Sequence, residues 1–501
     1  MNYISTRGQG EPVSSSAAIK QGIASDGGLL VPETIPQISL DEIAAMATLD
    51  YQQRALRILP LYLTDYSQEE LAEAVAAAYG EERFQPAPAP VVQLNKYNDR
   101  EFMLELWHGP TAAFKDLALQ LLPHLLTAAV RKSGEEAKVC ILVATSGDTG
   151  KAALEGFRDV PGTAAIVFYP HEGVSEAQKL QMVTQEGDNC FVVAVNGNFD
   201  DAQAGVKALF ADGSLAAELK SQGIILSSAN SINWGRLVPQ IVYYFSAYAD
   251  LLNAEKIEVG EAVNFVVPTG NFGNILAAWY ARSMGLPVNK LICASNRNKV
   301  LSDFIRNGHY DKRREFYKTN TPSMDILVSS NLERLLFELH GRSTDTVRQL
   351  MKDLEQEGHY QLEQQALRRL QAVFVGGFAD DKGTVRTIRE LYDRSDHVVD
   401  THTAVGFNVY GRYAARSGDE TKTLFVATAS PFKFSEAVSD ALFGSGYAKG
   451  RSVETLLQEM AGESGLELPA SLAGLEKRPL RHERLIEKDA MKETVRQLLT
   501  M

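Results

Sequence analysis

Cysteine is scarce: Cys140, Cys190 and Cys293 are the only three in 501 residues, each within an apolar, strand-like run. Three thiols so placed build neither a disulfide framework nor a metal cluster, and buried free thiols are the expected outcome. Blocks of lysine and arginine are missing as well, and the formal net charge is -13. That balance disfavours a basic surface for nucleic acid, so an anionic ligand needs its own local cations and amide donors. Long apolar runs are also lacking. The longest, 117–130, is interrupted by Gln120, Pro123 and His124 and is too short to span a bilayer. The opening stretch 1–11 contains Arg7 and Glu11 and no continuous apolar segment, so it does not read as a secretory signal. A cytoplasmic protein with no membrane or nucleic-acid partner is expected.

What is present is core material. Hydrophobic residues make up 45% and charged residues 23%, the balance of folded domains and not of disorder. A chain of this length exceeds what one core organises, so two or three domains around a shared cleft are expected. Residues 1–95 read as a helical cap closed by the proline-spaced connector 84–90. Short β-rich runs then alternate with helical stretches at 138–144, 164–169, 191–195 and 224–226. A second series follows at 264–267, 291–294, 397–399 and 424–427. Alternation of this kind predicts an α/β protein with two open, mostly parallel sheets covered by helices. The expected division is a large domain (96–135 and 236–440), a smaller one (136–235) and a helical C-terminal region (441–501). In such sheets ligands sit at the carboxyl ends of the strands, so the loops there are where chemistry is sought.

Five such segments stand out. In His108-Gly109-Pro110-Thr111-Ala112-Ala113-Phe114-Lys115-Asp116 a glycine-proline turn enters an apolar helix with one lysine at its start. The helix dipole and apolar neighbours both favour a neutral, nucleophilic amine suited to Schiff-base chemistry; taken alone, a surface lysine at a helix start fits equally. Gly270-Asn271-Phe272-Gly273-Asn274 lies between a strand-like run and a helical one, an arrangement that points backbone N–H groups at a phosphate or simply makes a tight turn. No Walker lysine follows it. Ser146, Asp148 and Thr149 sit in a similar strand-to-helix loop, able to hold a carboxylate or merely to cap a helix. Ser231, Asn233 and Arg236 combine amide, hydroxyl and guanidinium donors that can grip a phosphate, or form a capped helix with a surface arginine. Thr428, at the last strand end, can offer a neutral hydroxyl to a heteroaromatic nitrogen.

Together the five segments resemble the threonine synthase family, in the second fold type of pyridoxal-phosphate enzymes. The resemblance spans nearly the whole chain: Tyr3-Ile4-Ser5-Thr6-Arg7-Gly8 and 26–33 match an N-terminal signature, and 321–327 with Ser329-Ser330-Asn331-Leu332-Glu333-Arg334 a later one. It implies a pyridoxal 5'-phosphate cleft in which Lys115 carries the cofactor, residues 270–274 cradle its phosphate and Thr428 bonds its ring nitrogen. Ser146, Asp148 and Thr149 then receive the substrate carboxylate. Ser231, Asn233 and Arg236 are assigned to the substrate phosphate from their donor chemistry. Two loops depart from the family pattern: Thr401 stands where a proline is usual and Ser430 where a histidine is usual, which puts any role of those loops in closing the site in doubt.

The resemblance implies conversion of O-phospho-L-homoserine and water to L-threonine and phosphate by β,γ-replacement, in a monomer or homodimer with no metal. Two alternatives stay open on sequence: a phospho-lyase or dehydratase that releases a 2-oxo acid, and a non-catalytic relative that binds a metabolite. Because water enters at one step and is kept out at others, closure of one α/β domain on the other is expected.

Overall fold

Runs of valine, isoleucine and phenylalanine bounded by glycine, proline and polar residues become buried strands, because branched side chains suit a sheet covered on both faces. The computed structural model describes residues 1–95, 98–145, 147–172 and 174–499. One sheet has six strands in the order Phe374–Phe378, Val288–Ser295, Val263–Pro268, Thr423–Ala427, Asn98–Glu105 and Val91–Asn95. All neighbours are parallel except the last pair. A second, fully parallel sheet has five strands in the order Arg484–Glu487, Cys190–Asn196, Thr163–Pro170, Lys138–Ala144 and Ile224–Ser227. The α/β class with two mostly parallel sheets is therefore as expected. Cys140, Cys190 and Cys293 are buried free thiols, and among the described residues no helix is long and apolar enough to cross a membrane.

Four expectations need correction. The N-terminal stretch read as helical also holds a three-stranded antiparallel sheet of Val13–Ser14, Asn2–Ser5 and Leu30–Pro32, whose strands are too short to show a period of two. Strand Val91–Asn95 begins inside that same stretch and pairs with the larger sheet. Residues 397–399 form no strand; the edge position belongs to Phe374–Phe378. Its sequence, Phe-Val-Gly-Gly-Phe, hides it because Gly376 and Gly377 carry nothing to pack. They are required there: a Cβ at 376 would lie 2.9 Å from the Ser302 carbonyl and one at 377 would lie 2.5 Å from Val409 Cγ1. Finally, the C-terminal region is not wholly helical, since Arg484–Glu487 adds an edge strand beside Cys190–Asn196.

The N-terminal segment is welded to the main core by aromatics. Trp234 is fully buried with Tyr3, Tyr62 and Tyr280 around it at centroid distances of 5.4, 5.4 and 5.3 Å. Thr6 and Arg7 also reach the later signature: Thr6 Oγ1 donates to Glu333 Oε1 at 2.6 Å, and Arg7 Nε and Nη2 donate to the same carboxylate at 3.0 and 2.8 Å.

His124, on helix Leu122–Lys132, has its proton affinity lowered to about 4 by burial, with Arg83 adding to the effect. A folded value below the unfolded one means the unfolded chain takes up a proton that the native state refuses. Stability is then retained above pH ~6.5 and falls as pH drops from there toward 4, by about 3 kcal/mol at most. His124→Gln should flatten that stretch of the unfolding-versus-pH profile; an unchanged slope would remove His124 from the acid response.

Candidate active site

Lys115 is held by a turn that braces itself. The Thr111 N–H and Oγ1 donate to the buried Asp116 carboxyl at 2.8 and 2.7 Å, and Ala112 sits at φ 56. Burial pushes Asp116 up to about 6, against the Thr111 hydrogen bonds. The turn is pinned to the strand end that carries Thr428: Phe114 N–H donates to the Thr428 carbonyl at 2.8 Å and Ser430 N–H to the Ala112 carbonyl at 3.0 Å. The apolar helix expected after Lys115 is split into Lys115–Leu119 and Leu122–Lys132, with Pro123 just inside the second. Proline has no N–H to return to the Leu119 carbonyl, and the Gly156 backbone packs against that carbonyl so closely that no Cβ would fit. The lysine helix and the helix Asp148–Phe157 of the second sheet are thereby brought together.

The Lys115 amine donates to Ser323 Oγ at 3.4 Å and lies 3.5 Å from Asp148 Oδ2. Burial lowers its proton affinity, Asp148 opposes, and the cations Lys433 and Arg236 lower it further. The lowering expected from sequence thus has burial as its main cause.

The turn 270–274 ends in helix Gly273–Ser283, whose first residue follows Phe272 in the left-handed region at φ 64, with no side-chain cap. Phe272 is held there by packing 5.7 Å from the Phe374 ring; such strain is tolerated where the surroundings over-determine it. Asn274 Oδ1 accepts from the hydroxyls of Tyr243 and Tyr244 at 2.7 and 2.5 Å, which leaves its Nδ2 buried and without a partner among the described residues. An uncapped helix start beside an orphaned amide donor fits an anionic phosphate. Ser329 Oγ donates to the Gly270 carbonyl at 2.8 Å and Asn331 N–H to the Asn271 carbonyl at 3.1 Å, so the loop 321–331 backs this turn. Ser323 belongs to that loop, and its carbonyl would lie 2.5 Å from a Cβ at Gly270.

From the second sheet comes Asp148. Gly147, at φ 149, gives its N–H to Thr145 Oγ1 at 3.0 Å, as does Gly150. The buried Asp148 carboxylate accepts from Gln178 Nε2 at 3.0 Å and Ser323 Oγ at 3.2 Å, and pairs with Lys433 at 2.9 Å as well as with Lys115. Burial alone would raise it, yet Lys433 and then Lys115 hold it far below the usual carboxylate range. The Asp148 side chain is thus an anion committed to two lysine amines, and like charge disfavours a substrate carboxylate on it. Thr149 is half-buried in the first turn of the same helix. Ser146 lies outside the described residues.

The remaining candidates divide. Asn233 caps helix Trp234–Asn253 by accepting from Gly235 N–H at 2.8 Å and gives its Nδ2 to the Ile19 carbonyl at 2.9 Å. Both ends of its amide take part in the fold. Ser231 Oγ lies 3.4 Å from Ser330 Oγ, beside Asn331, whose Nδ2 donates to the Ser231 carbonyl at 3.1 Å. Arg236 is buried, donates to the Ala229 carbonyl, keeps Nε without a partner and pairs with no carboxylate among the described residues. Burial lowers its proton affinity to about 10, so it stays charged and without a counter-ion.

Sequence reasoning missed Ser323, Lys433, Gln178 and His402. His402 Nε2 accepts the Ser323 N–H at 3.2 Å while Nδ1 faces Asp400 Oδ1 at 3.0 Å, a pairing that places the ring proton on Nδ1. Both departing loops therefore reach the site despite Thr401 and Ser430. Nothing in the local composition of 430–434 separates a fully buried lysine from a surface one.

Comparison with known proteins agrees with this geometry. The family described as "Threonine synthase N terminus" matches residues 2–79, "Pyridoxal-phosphate dependent enzyme" matches 83–429, and "Threonine synthase, C-terminal" matches 403–498. Threonine synthase of Pseudomonas aeruginosa is 43% identical over 445 residues, covering 89% of this chain and 91% of that protein. Threonine synthase-like 1 of Macaca fascicularis is 42% identical over 438 residues, which are 85% of this chain but only 58% of that longer protein. The crystal structure of pyridoxal-phosphate-bound threonine synthase from Brucella melitensis superposes with a TM-score of 0.87 at 36% identity, covering 99% of both chains. With a lysine, an amide-lined turn and the family profiles all in the same order, the chain belongs to the threonine synthase family of pyridoxal-phosphate-dependent enzymes.

Proposed function

We propose that the chain converts O-phospho-L-homoserine and water to L-threonine and phosphate, with pyridoxal 5'-phosphate held by Lys115, Gly270, Asn271, Phe272, Gly273, Asn274 and Thr428. One observation carries the reading. Ser323 accepts the Lys115 amine on its hydroxyl and closes its carbonyl against Gly270, so the reacting amine and the amide-lined turn flank a single residue.

When bound, the cofactor supplies an electron sink for the carbanion formed at Cα. The chain's own groups do the rest. Lys115, with its proton affinity lowered chiefly by burial, is suited to take and return the Cα proton. Arg236, buried and lacking a counter-ion, receives the substrate phosphate together with Ser231, while Asn233 holds the helix start from which Arg236 projects. The substrate carboxylate goes to the backbone amides at the start of helix Asp148–Phe157, with Thr149 and Ser146, because the Asp148 side chain excludes it. Thr428 offers the ring nitrogen a neutral hydroxyl, which cannot hold a ring proton as a carboxylate would, so less charge collects there. Movement of the part built on the second sheet against the rest admits and expels water.

Incubation with phosphohomoserine should release threonine and inorganic phosphate in equal amounts. Release of 2-oxobutyrate and ammonia in place of threonine, with phosphate still released, would end this reading in favour of a lyase that stops after elimination. Arg236→Ala should lower kcat/KM by roughly 100-fold or more, the usual penalty for removing one partner of a desolvated charge pair. An unchanged kcat/KM removes it from the phosphate site.

A further inference from the structure

The Asp148 carboxylate meets two lysine amines, and the two are not equivalent. Lys433 is fully enclosed, and its amine donates to the Thr111 carbonyl at 2.8 Å besides pairing with Asp148 Oδ1 at 2.9 Å. Lys115 approaches the other oxygen at 3.5 Å, and its further partner is the Ser323 hydroxyl. We propose that Lys433 is a positioning residue whose ammonium neutralises Asp148, so that the Lys115 amine can exist uncharged in a largely buried site. The inference rests on the reading of Lys115 as the reacting amine.

Charge counting supports it. Among the described residues, Asp148 from helix Asp148–Phe157, Lys433 from the turn Pro431–Phe434 and Arg236 from helix Trp234–Asn253 are the charged groups whose fields act most on the Lys115 amine. Asp116, next in the chain, is turned toward Thr111. With Lys433 present, Asp148 is already balanced, and a proton on Lys115 adds net positive charge near Arg236 in a largely enclosed place. Without Lys433, the same proton completes a neutral pair with Asp148 and is favoured. Lys433 thus sets the protonation of an amine it does not touch. It also anchors the lysine turn through Thr111, which fixes the distance between Asp148 and Lys115.

The test uses the full chain freed of cofactor, in which the Lys115 amine is labelled with acetic anhydride across pH and quantified by peptide mass spectrometry. Lys433→Met should raise the pH midpoint of Lys115 labelling by about one unit or more, equivalent to roughly tenfold slower labelling below the midpoint. Lys433→Arg, which keeps the charge while disturbing the packing, should leave the midpoint within a few tenths of the wild type. An unchanged midpoint in folded Lys433→Met overturns the proposal, as does an equal rise in both variants, since that would trace the effect to packing. Should Lys433→Met fail to fold, Lys433→Gln, still able to donate to Thr111 and Asp148, decides by the same criterion. Because no substrate is present, these outcomes are independent of whether phosphohomoserine is turned over. Threonine formation failing while the Lys433 effect stands would refute only the substrate assignment.

Discussion

Lys115→Ala is expected to abolish threonine formation, with a loss of about 10⁴-fold or more, because a covalent nucleophile and its proton-transfer role disappear together. Lys433 is a second amine in the same site, yet it cannot take over: it is fixed between Asp148 and the Thr111 carbonyl. The variant should nevertheless fold well. Removing Lys115 leaves Asp148 and Lys433 as a neutral, hydrogen-bonded pair, and one polar amine no longer has to be desolvated, so the unfolding midpoint of the cofactor-free variant should equal or exceed that of the wild type. Borohydride reduction in the presence of pyridoxal 5'-phosphate, followed by peptide mass spectrometry, should label Lys115 in the wild type and leave the variant unmarked. Labelling of another lysine with retained turnover would overturn the assignment.

The second large effect is at Gly270. A Cβ there would lie 2.5 Å from the Ser323 carbonyl and 3.4 Å from Met324 Cα, and both are backbone atoms that cannot rotate away. Gly270→Ala must therefore push the turn proposed to hold the cofactor phosphate away from the loop 321–331 that backs it. Overpacking of this kind costs about 1–3 kcal/mol, and carried into binding it corresponds to roughly 10- to 100-fold weaker cofactor affinity. Gly411→Ala is the control. It lies on the exposed part of helix Thr401–Ser417, where a Cβ meets nothing within 4 Å, so cofactor affinity should not change. A folded Gly270→Ala protein with wild-type affinity would separate Ser323 from the phosphate site and remove the observation on which the proposed function rests.

The loops that bear the site were legible because each joins a buried strand to a helix with small, polar or glycine residues between them. The strands Lys138–Ala144 and Thr423–Ala427 could be read almost to the residue, since their branched apolar runs are bounded by sharp changes in composition. Phe374–Phe378 was not legible, because its glycines are demanded by the approach of Ser302 and Val409, contacts that no local pattern encodes. Arg484–Glu487 was hidden for a related reason: as an edge strand it alternates half-buried and exposed residues amid helix formers.

By itself, the sequence determined the two-sheet α/β class, the order of the loops at the strand ends and the residue types able to hold a phosphate and an aldehyde. Only the tertiary structure decided how those groups use their charge. Folding places Lys115 on one Asp148 oxygen and Lys433 on the other, and it engages the Asn233 amide with Ile19 and Gly235. The physical reason is common to both. Hydrogen-bond capacity is a property of a side chain, whereas the partner that consumes it, and the burial that sets its ionisation, come from segments distant in the chain.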